Sequence, residues 1–151
     1  MSQSLAQNLV HLIIFSTKQR KTYLHTEIRP EVNSYLAGIL RNLESLAILV
    51  NCVTDHVHIL FALSKNLALS KVVEEVKKSS SKWIKTQRAS LHDFHWQNGY
   101  AAFSVSQSVC PKVRDYIEQQ ELHHQKKSFQ EELREFFNRH GIKYDERYVW
   151  D

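Results

Sequence analysis

Short apolar runs and longer amphipathic stretches alternate along the chain. Residues 9–15 form a continuous apolar run with β-branched members, which predicts a buried strand. Residues 46–53 and 56–63 are two further strand-like runs, and only Thr54 and Asp55 separate them. A junction this short predicts an antiparallel hairpin. A last, short strand is predicted over residues 102–106, shortly after Gly99.

The longer stretches carry apolar residues at the spacing of one helical face. The first starts at Thr26, a candidate cap, and its apolar positions are Ile28, Val32, Leu36, Ile39, Leu40 and Leu43. A second amphipathic helix is predicted over residues 67–84 and a third over residues 108–125. A charged fourth helix is predicted over residues 129–139, before a tail from Gly141.

This order of elements predicts an α+β fold. The sequence β-α-β-β-α-β-α with a central hairpin fits a split β-α-β sandwich, in which a four-stranded antiparallel sheet carries helices on one face. The other face would then be open to a ligand or to another subunit. A chain of 151 residues fits one domain, so residues 1–151 are expected to form a single unit.

Composition and charge narrow the class of protein. With 42% apolar and 24% charged residues the chain has the composition of an ordinary folded protein. Twenty Lys and Arg against sixteen Asp and Glu give a net charge of +4, which suits a polyanionic partner. No basic leader precedes the first apolar run, so a cytoplasmic location is expected. Cys52 and Cys110 lack a C-x-x-C spacing and are expected to pack as small apolar residues.

Two histidines stand two residues apart at the start of the second hairpin strand. Because alternate residues of a strand point to the same side, His56 and His58 would present both imidazoles to one face, opposite Val57 and Ile59. That geometry suits one metal ion. In a chain with nine histidines, however, the same spacing also arises by chance.

A tyrosine and a glutamine lie one helical turn apart in the third predicted helix. Tyr116 and Gln120 are related as i and i+4, so both would face the same site. A phenol with its ordinary pKa of about 10 is a weak nucleophile, and a nearby divalent cation would activate it toward phosphorus. The alternative is a half-buried tyrosine with a packing role.

Basic and aromatic side chains offer candidate nucleic-acid contacts. Lysines at positions 77, 78, 82 and 85 surround three serines on the second predicted helix, where they would contact phosphates or simply form a solvated face. Phe94, Trp96, Tyr100 and Phe103 would stack on exposed bases or pack in the core.

Four segments in this order resemble one family, the single-tyrosine HUH transposases of small bacterial insertion sequences. The segments are DHVHIL from Asp55, KKSSSKW from Lys77, WQNGYAAFSV from Trp96 and YIEQQELHH from Tyr116. The resemblance extends over nearly the whole chain.

The resemblance implies a ferredoxin-like fold and a metal site for Mg²⁺ or Mn²⁺. His56, His58 and Gln120 would be the ligands, although Gln119, Asp115 and Glu118 lie close enough in sequence to compete with Gln120. It also implies a homodimer in which the tyrosine helix of one subunit commonly completes the histidine site of the other. The strand that contains Val105 would join the two sheets.

The resemblance further implies a strand-transfer reaction on single-stranded DNA. Tyr116 would attack a phosphodiester, form a 5′-phosphotyrosine and release a 3′-hydroxyl. The substrate would carry hairpins near the ends of the element. The residues expected to contact DNA are Arg20, Lys21, Lys77, Lys78, Ser80, Lys82 and Lys85.

Three other functions fit parts of this pattern. A domesticated REP-associated tyrosine transposase would process repeated palindromes without mobilising itself. A catalytically silent protein would bind hairpin DNA and form no covalent adduct. A metal-dependent hydrolase would use the same histidines but would leave no DNA attached to tyrosine.

Overall fold

Eight strands and helices of five or more residues are present in the computed structural model, which describes residues 1–16, 22–122 and 127–150. In chain order they are β1 (Asn8–Phe15), α1 (Arg29–Asn42), β2 (Ala47–Cys52), β3 (His56–Leu63), α2 (Leu69–Ile84), β4 (Ala101–Val105), α3 (Cys110–Glu118) and α4 (Phe129–Arg139). Residues 120–122 are also helical. Within the described ranges, no helix has both the length and the apolar character needed to cross a membrane.

The four strands form one antiparallel sheet in the order β2-β3-β1-β4. The long central pair runs from Asn8 opposite Leu63 to Phe15 opposite His56. Strands β2 and β3 form the predicted hairpin, and β4 joins the free side of β1. The predicted split β-α-β arrangement and the α+β class are therefore confirmed.

The main core lies between one face of the sheet and helices α1 and α2. Alternation along β1 and β3 sends Val10, Leu12, Val57 and Ile59 to this face. There they pack against residues that recur at helical spacing in the two helices: Val32, Leu36, Leu40, Val72, Val73 and Val76. Cys52 belongs to the same core, and Cys110 is buried on the opposite face, as predicted.

The opposite face of the sheet is covered by α3 and α4, where the sequence analysis expected it to be open. Helix α4 has an apolar stripe that must be buried somewhere, and it packs on Ile13 and Phe103 through Leu133, Phe136 and Phe137. Helix α3 buries Cys110 and Ile117 against Leu9 and Leu60. The tail is part of this layer, because Tyr144, Val149 and Trp150 pack against the same cluster.

Local backbone chemistry explains where the helices begin and end. Helix α1 begins at Arg29 instead of Thr26, with Pro30 in its first turn. Helix α3 ends at Glu118, earlier than predicted, because Gln119 leaves the helical conformation with φ −100° and ψ 24°. Helix α4 begins at a capping box, in which Ser128 accepts from the Glu131 amide and Glu131 accepts from the Ser128 amide.

Candidate active site

Strand β3 delivers His56 and His58 to the face that α3 and α4 cover. Their neighbours Val57 and Ile59 enter the main core, so both imidazoles lie on the other side of the sheet, as the alternation predicts. The exposed fractions of His56 and His58 are 1% and 0%. The two ring centroids are 5.1 Å apart.

Each histidine is oriented through its Nδ1 atom. His56 Nδ1 lies 2.7 Å from Asp55 Oδ1, and His58 Nδ1 lies 2.8 Å from His11 Nε2. These contacts fix the rings so that Nε2 is the nitrogen that each would turn to a metal. Hydrogen bonds of this kind orient metal-binding histidines in many proteins.

His11 is a site residue that the sequence analysis missed. It lies in β1 and is 1% exposed. Burial, together with the neighbouring charge of His140, lowers the pKa of His11 to about 3, so its ring is neutral. The sequence feature that indicates this residue is a histidine inside an otherwise apolar strand. Strand alternation puts His11 on the same side of the sheet as Ile13.

Tyr116 and Gln120 reach the same site from α3 and the turn that follows it. The centroid of the Tyr116 ring is 6.2 Å from that of His58. Gln120 is fully buried, and its Nε2 atom donates to the Tyr116 carbonyl oxygen at 3.3 Å. The end of α3 is held by Asn51 of β2, whose Nδ2 donates to the Ile117 carbonyl at 2.6 Å.

Glu132 of α4 is a second residue that the sequence analysis missed. Its exposed fraction is 4%, and its Oε1 atom lies 3.6 Å from Nε2 of His58. The Tyr116 hydroxyl donates a hydrogen bond to this carboxylate. Burial raises the pKa of Tyr116 well above its ordinary value, and the charge of Glu132 raises it further, so the side chain is a phenol. The sequence feature that indicates this residue is a glutamate within the apolar stripe of α4, between Phe129 and Phe136.

The donor set fits a divalent metal that accepts nitrogen and oxygen ligands. Across the residues that the structure describes, no group of three or more His, Cys, Asp or Glu side chains is arranged to hold a metal. The buried amide of Gln120, which contacts Tyr116, is a candidate third ligand for the histidine pair, and the Glu132 carboxylate lies 3.6 Å from His58 Nε2. Asp115, Glu118 and Gln119 are exposed, which favours Gln120 over these neighbours.

The predicted basic contacts lie apart from this site. Helix α2 packs on the other face of the sheet, and Lys78, Lys82 and Lys85 are exposed on it. The positions of Arg20 and Lys21 lie outside the described residues.

Ser80 and Lys77 of α2 make hydrogen bonds within the protein. Ser80 is fully buried; its hydroxyl donates to the Val76 carbonyl at 2.6 Å and accepts from Trp96 Nε1 at 2.9 Å. The expectation that Ser80 contacts DNA is therefore wrong. Lys77 Nζ donates to the carbonyl oxygens of Gln97 and Gly99, each at 2.7 Å, and burial lowers the pKa of Lys77 to about 8.

The aromatic stretch is mostly internal. Phe94, Trp96 and Phe103 are buried in the two cores, whereas Tyr100 is 41% exposed. Tyr100 is thus the member of this group that can stack on a base.

The fold and sequence of this chain are similar to those of known transposases. Residues 5–120 match the family model described as "Transposase IS200 like". The transposases for insertion sequence element IS200 from Salmonella typhimurium and Salmonella typhi are each 26% identical to it over 119 residues, which is 75% of this chain and 77% of theirs.

Two solved structures share the fold. A putative transposase from Deinococcus radiodurans has a TM-score of 0.59 and 17% identity, covering 80% of this chain and 98% of its own. A REP-associated tyrosine transposase bound to a REP hairpin also has a TM-score of 0.59, with 15% identity, covering 82% of this chain and 74% of its own. The matched span contains the histidine strand, the tyrosine helix and Gln120, and the chain belongs to the family of IS200-like transposases.

Proposed function

We propose that the protein cleaves and rejoins single-stranded DNA through a covalent bond between Tyr116 and a 5′-phosphate. The observation that carries this proposal is the meeting of Tyr116 with the histidine pair, since its ring lies 6.2 Å from that of His58. Gln120 donates a hydrogen bond to the main-chain carbonyl of the same tyrosine. A buried carboxylate, Glu132, completes the group. Nucleophile, metal-binding side chains and a proton acceptor are the groups that phosphodiester transfer requires.

In the proposed reaction one ester bond replaces another. The Tyr116 oxygen forms a bond to phosphorus while the bond from phosphorus to the 3′-oxygen breaks. The phenolic proton passes to Glu132, which already accepts a hydrogen bond from the hydroxyl, and the leaving 3′-oxygen ends as a hydroxyl after protonation. Because the phosphotyrosine retains the energy of the ester bond, a 3′-hydroxyl can attack it and rejoin DNA without a nucleotide cofactor.

The metal-binding role falls to three buried side chains. His56, His58 and the amide oxygen of Gln120 would hold Mg²⁺ or Mn²⁺, which when bound supplies polarisation of the phosphodiester. Asp55 and His11 keep the two imidazoles in the required orientation.

The proposed substrate is single-stranded DNA with hairpins at the ends of an element. A structural neighbour was solved with a REP hairpin, which supports hairpin DNA as the partner. The net charge of +4 and the exposed Lys78, Lys82 and Lys85 of α2 suit a polyanion, and Tyr100 offers a stacking surface. A bacterial chromosomal substrate would place the activity in the cytoplasm.

We also propose a homodimer. Strand β4 lies at one edge of the sheet, and pairing of this edge with its copy would extend the sheet across two subunits. The family resemblance implies a site shared between subunits, whereas the contacts of α3 with its own sheet favour completion within each subunit.

The proposal is tested by trapping the covalent intermediate. Wild-type protein is incubated with Mg²⁺ and labelled single-stranded DNA from the ends of its own locus, and products are separated on a denaturing gel. A DNA-linked protein band is expected that disappears with EDTA and with Tyr116→Phe. Tyr148→Phe is the matched control, because Tyr148 is 68% exposed in the tail. Hairpin binding without the band would indicate a silent binding protein, and cut DNA without the band would indicate a hydrolase.

A second candidate is a domesticated enzyme that processes dispersed palindromes. The likeness to the REP-associated transposase favours it. Cleavage of repeated palindromes from the host genome, with none at the flanks of the protein's own gene, would distinguish it from a transposase that mobilises its own element.

A further inference from the structure

Helix α4 closes most of the site that the proposed reaction needs. His56, His58 and Gln120 have exposed fractions of 1%, 0% and 0%. The Phe129 ring lies over His56 with a centroid distance of 4.3 Å. Tyr116 is only half-buried. A DNA strand that meets this arrangement therefore has to approach from the side on which Tyr116 remains accessible.

A cavity of about 360 Å³ opens on that side, between β4, α3 and α4. Tyr116 and His11 form part of its lining, beside the aromatic rings of Phe103 and Phe136. Lys112 of α3 and Arg139 of α4 also line it. The nucleophile and two cations thus border one partly open cavity, which we call the α3–α4 groove.

The charges around the groove suit a phosphate backbone. Lys112 and Arg139 are exposed, and His140 lies next to Arg139. The Arg139 guanidinium is 5.6 Å from the Phe136 ring centroid, which holds it over the wall of the groove. Among the described residues that line the groove none is acidic. Lysine and arginine at such positions bind phosphate oxygens.

The walls suit an unstacked base. Val105, Val109 and Val113 line the groove beside Tyr116, and each is half-buried or exposed, so they present an apolar surface. The volume lies at the lower end of the range of about 300–1,000 Å³ for small-molecule sites, which fits one nucleotide better than a duplex end. In a duplex the bases are paired and stacked, so only a single strand can place a base against these walls.

We propose that the α3–α4 groove binds the nucleotide next to the scissile phosphate of single-stranded DNA. Lys112 and Arg139 contact the flanking phosphates, and the base packs on the apolar wall that Val105, Val109 and Val113 form. This inference rests on the proposed strand transfer at Tyr116. Phe136 and Arg139 lie beyond the span that matches the family model, residues 5–120, so this half of the groove belongs to a part of the chain that the match leaves out.

The test measures equilibrium binding in a background that cannot react. Tyr116→Phe protein is titrated with labelled single-stranded DNA from its locus, and Lys112→Gln or Arg139→Gln is added to that background. Each is expected to weaken binding about fivefold or more. The slope of log affinity against log salt should become shallower by about 0.7 for each lost phosphate contact. Arg41→Gln is the matched control, because Arg41 is exposed on α1 at the far side of the molecule.

Neutral methylphosphonate linkages, placed one at a time along the DNA, locate the contact. At the linkage that the groove binds, the affinity of the parent protein should fall, and Lys112→Gln or Arg139→Gln should cause no further loss. This linkage should adjoin the one at which wild-type protein forms its adduct. Val109→Trp fills the groove from a 40% exposed position and retains both cations, and it should also weaken binding.

The outcomes separate the groove from the chemistry. Two results together would overturn the groove and leave strand transfer standing: Lys112→Gln and Arg139→Gln bind as tightly as Arg41→Gln, and the same two substitutions give the wild-type adduct yield when Tyr116 is retained. Weakened binding at one linkage without any wild-type adduct would support the groove as a DNA site and overturn the strand transfer on which its assignment to the scissile phosphate rests.

Discussion

Glu132 places a negative charge next to the nitrogen that His58 would offer to a metal. The carboxylate is 4% exposed and lies 3.6 Å from His58 Nε2. In a buried site such a charge favours a divalent cation, because little solvent screens it. The same carboxylate accepts a hydrogen bond from Tyr116, so one residue links the metal-binding and nucleophilic halves of the site.

Glu132→Gln is therefore expected to weaken Mn²⁺ binding about tenfold or more, the range for loss of a group that supports metal ligands. Isothermal titration calorimetry of the metal-stripped protein with Mn²⁺ measures this without any turnover. The control is Glu135→Gln on the same helix, because the Glu135 side chain is 53% exposed and pairs with Lys127. Equal Mn²⁺ affinities for the two variants would show that the charge of Glu132 does not act on the metal.

Residue pattern alone identified part of this site. His56, His58, Tyr116 and Gln120 could be proposed because strand alternation and helical spacing are local properties. His11 and Glu132 were missed because each sits in an apolar pattern, and a pattern does not reveal that a buried polar side chain has found a partner from a distant segment. Ser80 was expected to contact DNA but is buried. Its hydroxyl accepts a hydrogen bond from Trp96, which lies sixteen residues later in the sequence.

At the scale of the elements, the break in the helix at Gln119, just after α3, sets the position of the candidate ligand Gln120. Helix α3 ends at Glu118, and helical geometry resumes at Gln120. Asn51 fixes this break, because its side chain donates to the Ile117 carbonyl across the gap to β2. Asn51 lies opposite His58 in the hairpin, so the same strand pair carries a histidine and the anchor of the tyrosine helix.

Asn51→Ala is expected to slow adduct formation at saturating DNA and Mg²⁺ by about tenfold, because small displacements of reacting groups are costly in rate. The matched control is Asn33→Ala, which removes the hydrogen bond from the Cys52 amide to Asn33 on the core face of the same strand. Both variants should lose about 1 kcal/mol of unfolding free energy. Single-turnover rates measure adduct formation, and urea unfolding measures the loss of stability. Equal slowing of adduct formation in the two variants would contradict the positioning role of Asn51.

The strands were predicted closely and the helical layers less well, for a physical reason. Strand ends follow from local alternation and turn residues, so the predicted strands agree with the observed ones within one or two residues. The end of α3 was placed too late because helical spacing continues past Gln119. The position of α4 on the histidine face depends on contacts of Phe136 and Phe137 with Phe103, which local pattern cannot show.

At the scale of the whole molecule, the main core and the candidate active site lie on opposite faces of the sheet. The larger core joins one face to α1 and α2, while every candidate reacting group lies on the other face beneath α3 and α4. Among the described residues, the buried His, Gln and Glu side chains are all on the face of the candidate site. The exposed lysines of α2 are on the far side, so DNA that touches both surfaces has to pass around an edge of the sheet.

The arrangement of α3 predicts which chain completes each site in a dimer. Ile117 and Cys110 pack against Leu9 and Leu60 of the same chain, and Asn51 ties the end of the helix to β2. A tyrosine helix held in this way meets the histidines of its own subunit. Two inactive variants, Tyr116→Phe and His58→Gln, should therefore not restore adduct formation to one another when they are co-expressed so that mixed dimers form.

The adduct gel measures that rescue, and the two variants carry different affinity tags, so that their co-purification is the control for mixed dimers. In a two-fold dimer with shared sites, random mixing would rebuild about a quarter of the sites, each taking its tyrosine from one chain and its histidine from the other. Adduct at that level would establish exchange of α3 between subunits. Its absence, with mixed dimers demonstrated by co-purification, would mean that each subunit brings Tyr116, His58 and Glu132 together by itself.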